Sequence, residues 1–168
     1  MLIGRMSMDK IATFAEIRTI SRKYRTAEKT IVFTNGCFDI IHAGHVKYLT
    51  HAASFGDILI LGLNSDHSVK LIKGEKRPVI AQDHRSLVVS ALSCIDHVVL
   101  FDEPDPMVLI ETICPDVLVK GADWPEDQII GADFVKRHGG RLERITIEAD
   151  ISTTKIIERI GDLYYRKY

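Results

Sequence analysis

Short, continuously apolar runs alternate with helix-patterned stretches along most of this chain, and that alternation restricts the fold more than any other property of the sequence. The runs cover residues 31–33, 58–63, 98–101, 117–119 and 145–147; helical spacing covers about 44–55, 65–71, 83–93, 106–113 and 127–138. Strands apolar on both faces, separated by helices, form a parallel sheet covered on both sides with right-handed crossovers. The expectation is one α/β domain with a doubly wound parallel sheet. Ile11, Phe14, Ile17 and Ile20 predict a helical lead segment within residues 1–26, packed on a domain of residues 27–168. A last helix is expected from about Ser152, with Ile156, Ile157, Ile160, Leu163 and Tyr164 as its buried stripe. Ligands of such sheets bind beyond the carboxyl ends of the strands.

The first apolar run leads straight into Thr34-Asn35-Gly36-Cys37-Phe38-Asp39-Ile40-Ile41-His42-Ala43-Gly44-His45, and Val46, Leu49 and Ala53 then keep helical spacing. This reads as strand, Gly-containing turn and helix N-terminus. His42 and His45 share one face of the first helical turn, and Gly44 leaves room for a ligand to approach the backbone. Free N–H groups beside two potential cations suit a phosphate. Two histidines at this spacing also suit a metal, but no HExxH pattern or third ligand accompanies them, so no protein-held metal is expected. Gly36 and Gly44 fit neither a Walker loop nor a GxGxxG turn, which excludes the ordinary NTPase and dinucleotide readings.

Three further constellations follow strands. Asn64-Ser65-Asp66 caps a helix and could meet polar groups of a ligand. Lys73-Gly74-Glu75-Lys76-Arg77-Pro78-Val79 reads either as a mobile cationic loop that folds over a triphosphate or as a solvated surface loop. Arg85, on the next helix, is expected to orient that helix through an ion pair. In Val119-Lys120-Gly121-Ala122-Asp123-Trp124-Pro125 the glycine permits a sharp turn, and Asp123 or Trp124 could contact a base or sugar; packing is the alternative for the Trp. Ser152-Thr153-Thr154 opens the last helix, either as an ordinary cap or as a second phosphate site.

At 168 residues, 46% of them apolar, the chain can bury a sizeable core in one domain. A formal net charge of -1, with Lys and Arg dispersed, argues against nucleic-acid and membrane partners. Cys37, Cys94 and Cys114 lack CxxC spacing and suit a reducing cytoplasm. No apolar stretch is long enough for a membrane helix, and residues 1–10 lack a signal-peptide core.

Taken together, these residues resemble the nucleotidyltransferase superfamily that carries a HxGH turn and an S-T-T motif near the C-terminus. Within it the chain is most similar to the bacterial D-glycero-β-D-manno-heptose 1-phosphate adenylyltransferases, through residues 34–45, 64–69, 73–79, 115–124 and 152–154. Phe101-Asp102-Glu103 and Gly139-Gly140 also match. The resemblance implies a Rossmann-like fold and transfer of the adenylyl group of ATP to a heptose 1-phosphate, with ADP-heptose for lipopolysaccharide core and pyrophosphate as products. It implies His42, His45 and Lys73 as the groups that stabilise the transition state. Asn35, Gly36, Cys37, Phe38, Asp39, Gly44, Asn64, Asp66, Arg77, Lys120, Gly121, Asp123, Trp124, Ser152, Thr153 and Thr154 then line the nucleotide site. Mg²⁺ would arrive with the nucleotide, with Asp39 near the metal or the histidines. The resemblance also implies a homodimer and, because the motif begins at Thr34, a separate sugar kinase acting upstream. Related cytidylyltransferases carry an Arg four residues before Ile-Ser-Thr-Thr, where this chain has Ile147; Lys47, by contrast, is similar to that branch. The alternative is therefore cytidylyl transfer to glycerol 3-phosphate or another polyol or sugar phosphate.

Overall fold

The computed structural model describes residues 8–146 and 150–165. Six parallel strands form one sheet: β1 (Ile11–Ala12), β2 (Ile31–Gly36), β3 (Ile58–Asn64), β4 (His97–Phe101), β5 (Val117–Gly121) and β6 (Arg141–Ile145). Their order is β1-β4-β3-β2-β5-β6. The helices are α1 (Phe14–Thr26), α2 (Ala43–Ala53), α3 (Asp66–Lys73), α4 (Gln82–Ser90), α5 (Met107–Ile113), α6 (Ala132–Arg137) and α7 (Thr153–Tyr164). From β2 the chain moves outward through β3 and β4, then returns to the other flank of β2 as β5. The winding reverses between β2 and β5, so the crevice for a ligand opens at their carboxyl ends.

Strand periodicity builds two cores from neighbouring residues. Phe33, Ile60, Val99 and Leu118 face one way, against Ile17 of α1, Leu109 and Ile110 of α5 and Val135 of α6. Val32, Leu61, Val98 and Val117 face the other way, against Leu49 of α2 and Val89 of α4. All of these side chains are essentially solvent-free. This is the doubly wound, two-faced sheet that the apolar runs imply.

Some expectations need correction. Ile11 is not helical: Ile11–Ala12 adds a sixth strand against Val98 and Val99. Thr13 then starts α1 with a capping box, its hydroxyl accepting from Glu16 N at 3.3 Å while its own N–H donates to the Glu16 carboxylate at 2.8 Å. The stretch 127–138 is not one helix. A 3-10 turn (Glu126–Gln128) is separated from α6 by Gly131, whose φ of 86° breaks the helical path. β6 begins earlier than its apolar signal because Arg141 and Glu143 share the strand, and Ile147 lies outside the described residues. The stripe on α7 is not buried. Ile156 is only partly covered, and Ile157, Ile160, Leu163 and Tyr164 are exposed, because α7 lies beyond both cores.

Candidate active site

The turn from β2 to α2 is strained and heavily braced. Phe38 and Ile40 adopt φ values of 46° and 50°, conformations that disfavour side-chain-bearing residues by about 1–3 kcal/mol each. Gly36 is required beside them, since a Cβ there would sit 2.9 Å from the Phe38 ring. Asp39, fully buried, holds the turn. Its carboxylate accepts from Arg77 Nε at 2.7 Å, Val79 N at 2.8 Å and Ile80 N at 2.9 Å. Burial opposes ionisation, but those two backbone donors and the guanidinium outweigh it and keep the carboxyl below its usual range. The cationic loop is therefore anchored to the turn rather than free. The Asp39 carboxylate is occupied by that loop instead of being directed at a metal or the histidines.

His42 is the N-cap of α2, its Nδ1 accepting from His45 N at 3.4 Å. The two rings stack with centroids 3.8 Å apart, and Phe38 flanks His45 at 5.2 Å. Burial lowers the pKa of His42. Burial, then the neighbouring His42, brings His45 down to about 4 against a weaker upward pull from Asp39. The pair is neutral in the free protein near pH 7, so these two potential cations carry no resting charge there. Neutral imidazoles still donate, and bound phosphate would draw protons onto them.

A pH experiment follows from this. Unfolded His titrates near 6.5 and folded His45 near 4, so the unfolded state takes up the proton first. The stabilisation is complete above pH 6.5 and is lost as pH falls towards 4, by roughly 3 kcal/mol over the interval. Histidine ring NMR should show His45 neutral down to about pH 4 and its pKa rising when ATP binds. Titration near 6.5 in the free protein would contradict this.

The N-terminus of α7 meets the same turn. Ser152 caps the helix by accepting from Lys155 N at 3.2 Å, and Thr153 Oγ1 donates to the Asp39 carbonyl at 2.6 Å. On the other flank, β5 brings Lys120 against Asn35, its ammonium donating to the Asn35 Oδ1. Burial lowers Lys120 to about 8, with Cys37 and Asp123 opposing the drop. Behind them, Tyr48 shares a 2.7 Å hydrogen bond with Thr34 Oγ1 and donates to the Val119 carbonyl at 3.3 Å, tying α2 to β2 and β5.

These pieces enclose one cleft of about 600 Å³. Every residue that the sequence assigned to the site lines it except Asp66. Asp66 accepts from Arg85 Nη2 at 2.7 Å outside the cleft, so it steadies α3 and α4 rather than a ligand. Asn64 lines the floor with its amide donating to Ser68 Oγ at 2.9 Å. Lys73, at the end of α3, and Trp124, 52% exposed, border the opening. Sequence reasoning missed the apolar wall of Ile72, Pro104, Pro106, Ile129 and Ile130, together with Asp105 and Gln128. No local motif marks those positions; only the strand order brings the β4–α5 and β5–α6 connections to one edge. Among the described residues no helix is long and apolar enough to cross a membrane.

Two helix N-termini, one bearing a His pair and the other three hydroxyls, thus meet at the switch point of a parallel sheet. Residues 33–159 match the cytidylyltransferase-like family model. The chain belongs to the cytidylyltransferase-like family of nucleotidyltransferases. It is 50% identical over 155 residues to the bifunctional protein HldE of Syntrophotalea carbinolica, covering 92% of this chain and 32% of that one. Against the bifunctional protein HldE of Geobacter sulfurreducens it is 55% identical over 136 residues, 81% of this chain and 28% of the relative. The chain thus spans about a third of the length of the curated relatives it matches. The lipopolysaccharide core biosynthesis protein from Thermoplasma volcanium GSS1 superposes with a TM-score of 0.60 at 26% identity, over 73% of this chain and 99% of that one.

Proposed function

We propose that the chain transfers the adenylyl group of ATP to D-glycero-β-D-manno-heptose 1-phosphate, releasing pyrophosphate and ADP-heptose for lipopolysaccharide core. One observation carries the reading: Thr153 Oγ1 bonded to the Asp39 carbonyl at 2.6 Å, which sets the start of α7 against the His42–His45 turn. Two helix N-termini on one cleft are what a polyphosphate chain requires. The similarity to HldE proteins, and to a lipopolysaccharide core biosynthesis protein, supports the choice of acceptor.

A sugar 1-phosphate has a second pKa near 6 and is already largely dianionic at neutral pH, so no general base is needed. Its oxygen attacks the α-phosphorus; the bond to the bridging oxygen breaks, and that oxygen leaves with the pyrophosphate. Catalysis reduces to alignment and to stabilising the charge that builds on the α-phosphate and leaving group. His42 and His45 donate to that charge, with Lys73 and the N–H groups and hydroxyls of Ser152 and Thr153 beside them. Mg²⁺ enters as part of the nucleotide substrate, keeping much of its water. The remaining assignments are that the protein works in the cytoplasm as a homodimer and that a sugar kinase supplies the acceptor.

Pyrophosphate release should be measured with ATP and CTP, each against heptose 1-phosphate and glycerol 3-phosphate. The ATP–heptose pair should exceed every other combination by at least about tenfold in kcat/KM, a difference of about 1.4 kcal/mol. A higher value for CTP with glycerol 3-phosphate would replace this reading with the cytidylyl one.

A further inference from the structure

Lys120 enters the same cleft from β5 rather than from either helix N-terminus. Phe33 and Leu118 are partners across β2 and β5, and two residues further along the same strands come Asn35 and Lys120. Residues two apart share a face, so Asn35 and Lys120 continue the side of the sheet on which Phe33 and Leu118 pack against α1, α5 and α6. His42 and His45 open α2, whose Tyr48 and Leu49 pack on the other side. Among the described residues the single hydrogen-bond acceptor of the Lys120 ammonium is the neutral Asn35 amide. A half-buried cation lining the cleft, hydrogen-bonded to a neutral amide while Asp123 acts on it only through space, can still take an anion as ligand. In-line displacement sets the attacking and leaving oxygens on opposite sides of the transferred phosphorus. With the pyrophosphate on the α2 terminus, the opposite approach lies on the Asn35–Lys120 side of the sheet.

We propose that Lys120, steadied by Asn35, binds the phosphate of the acceptor and presents its oxygen to the α-phosphorus of the nucleotide. The inference rests on the nucleotidyl-transfer reading above. The depressed Lys120 pKa, about 8, agrees with it, since a dianion would restore the charge that burial disfavours. The titratable groups facing Lys120 are Cys37 from the β2–α2 turn and Asp123 past β5.

Lys120→Met keeps the aliphatic stem without the charge, and Lys120→Arg keeps the charge. Each is compared with the unaltered protein in equilibrium titration with Mg-ATP alone and in pyrophosphate release with heptose 1-phosphate varied. In Lys120→Met the acceptor KM should rise about tenfold or more while the ATP Kd stays within about twofold; Lys120→Arg should recover part of the loss. The unaltered protein should also lose kcat/KM for the acceptor above about pH 8, where the acceptor is already dianionic, and Lys120→Arg should not. Lys120→Gln supplies the same comparison if the Met variant does not fold. An unchanged acceptor KM, or ATP binding weakened as much as acceptor binding, would overturn the assignment and leave nucleotidyl transfer standing. If the unaltered protein releases no pyrophosphate with ATP or CTP and any sugar or polyol phosphate, the functional reading falls and this inference with it.

Discussion

His45→Ala should lower the turnover of pyrophosphate release by about 10²–10³ under saturating substrates and leave the protein folded. That range is the loss seen when one preorganised donor to a transition state is removed, about 2.7–4 kcal/mol of barrier. The local structure separates this effect from unfolding. His45 Nδ1 is buried without a hydrogen-bond partner among the described residues. Its ring is held against His42 and Phe38 in a position that depresses its basicity. At neutral pH, where His45 is uncharged folded or unfolded, the unpaired nitrogen is the feature that disfavours the native state, and alanine removes it while being a strong helix former in the first turn of α2. The melting temperature should stay level or rise while activity collapses. His42→Ala should behave differently. It removes the N-cap acceptor for His45 N, so activity falls together with about 0.5–2 kcal/mol of stability. Near-normal turnover in His45→Ala would take the imidazole out of the chemistry.

The sheet was legible because its strands are buried on both faces: Val32, Phe33, Leu59, Ile60 and Leu61 are apolar at every position, and only a covered parallel sheet accepts that. The turn was legible because a strand, a glycine and a capped helix follow each other within a few residues. β1 was not, since two residues carry no period and Ile11 continues the spacing of α1. α7 misled for the opposite reason. Its apolar spacing is real, but spacing does not say whether a core lies underneath. Within the site, the nature of the contacts divided success from failure. Gly36, His42 and Ser152 act on their own backbone neighbourhood, which sequence shows. The Asp39 clamp on Arg77, Val79 and Ile80 joins residues about forty positions apart, so Asp39 looked free for a metal and the loop looked mobile. Asp66 looked like a ligand for the same reason. The neutrality of the histidines and the lowered pKa of Lys120 follow from burial, a property of the assembled chain.

Arg85→Met should destabilise the protein by about 2–6 kcal/mol, the cost of leaving two buried carbonyls without their donor at about 1–3 kcal/mol each. The side chain is 1% exposed and joins three elements. Nη2 donates to Asp66 at 2.7 Å on α3, Nε to the Ile80 carbonyl at 2.9 Å at the end of the anchored loop, and Nη1 to the Cys37 carbonyl at 2.5 Å in the β2–α2 turn. The sequence expectation of an ion pair orienting the helix is met by the bond to Asp66, but the two carbonyls extend the role into the cleft. Methionine fills much of the volume and leaves both carbonyls without this donor. Asp66, partly open to solvent, can rehydrate, so the larger share of the loss falls on Cys37 and Ile80. Those carbonyls flank Asp39, whose carboxylate accepts from Val79 and Ile80. The clamp should therefore loosen before global unfolding, and the ATP KM should rise at temperatures where the variant is still folded. Denaturant unfolding measures the first effect, and ATP kinetics well below the melting temperature measure the second. A variant with wild-type stability would show that the carbonyls are satisfied by water, which would reduce Arg85 to an orienting contact for α4.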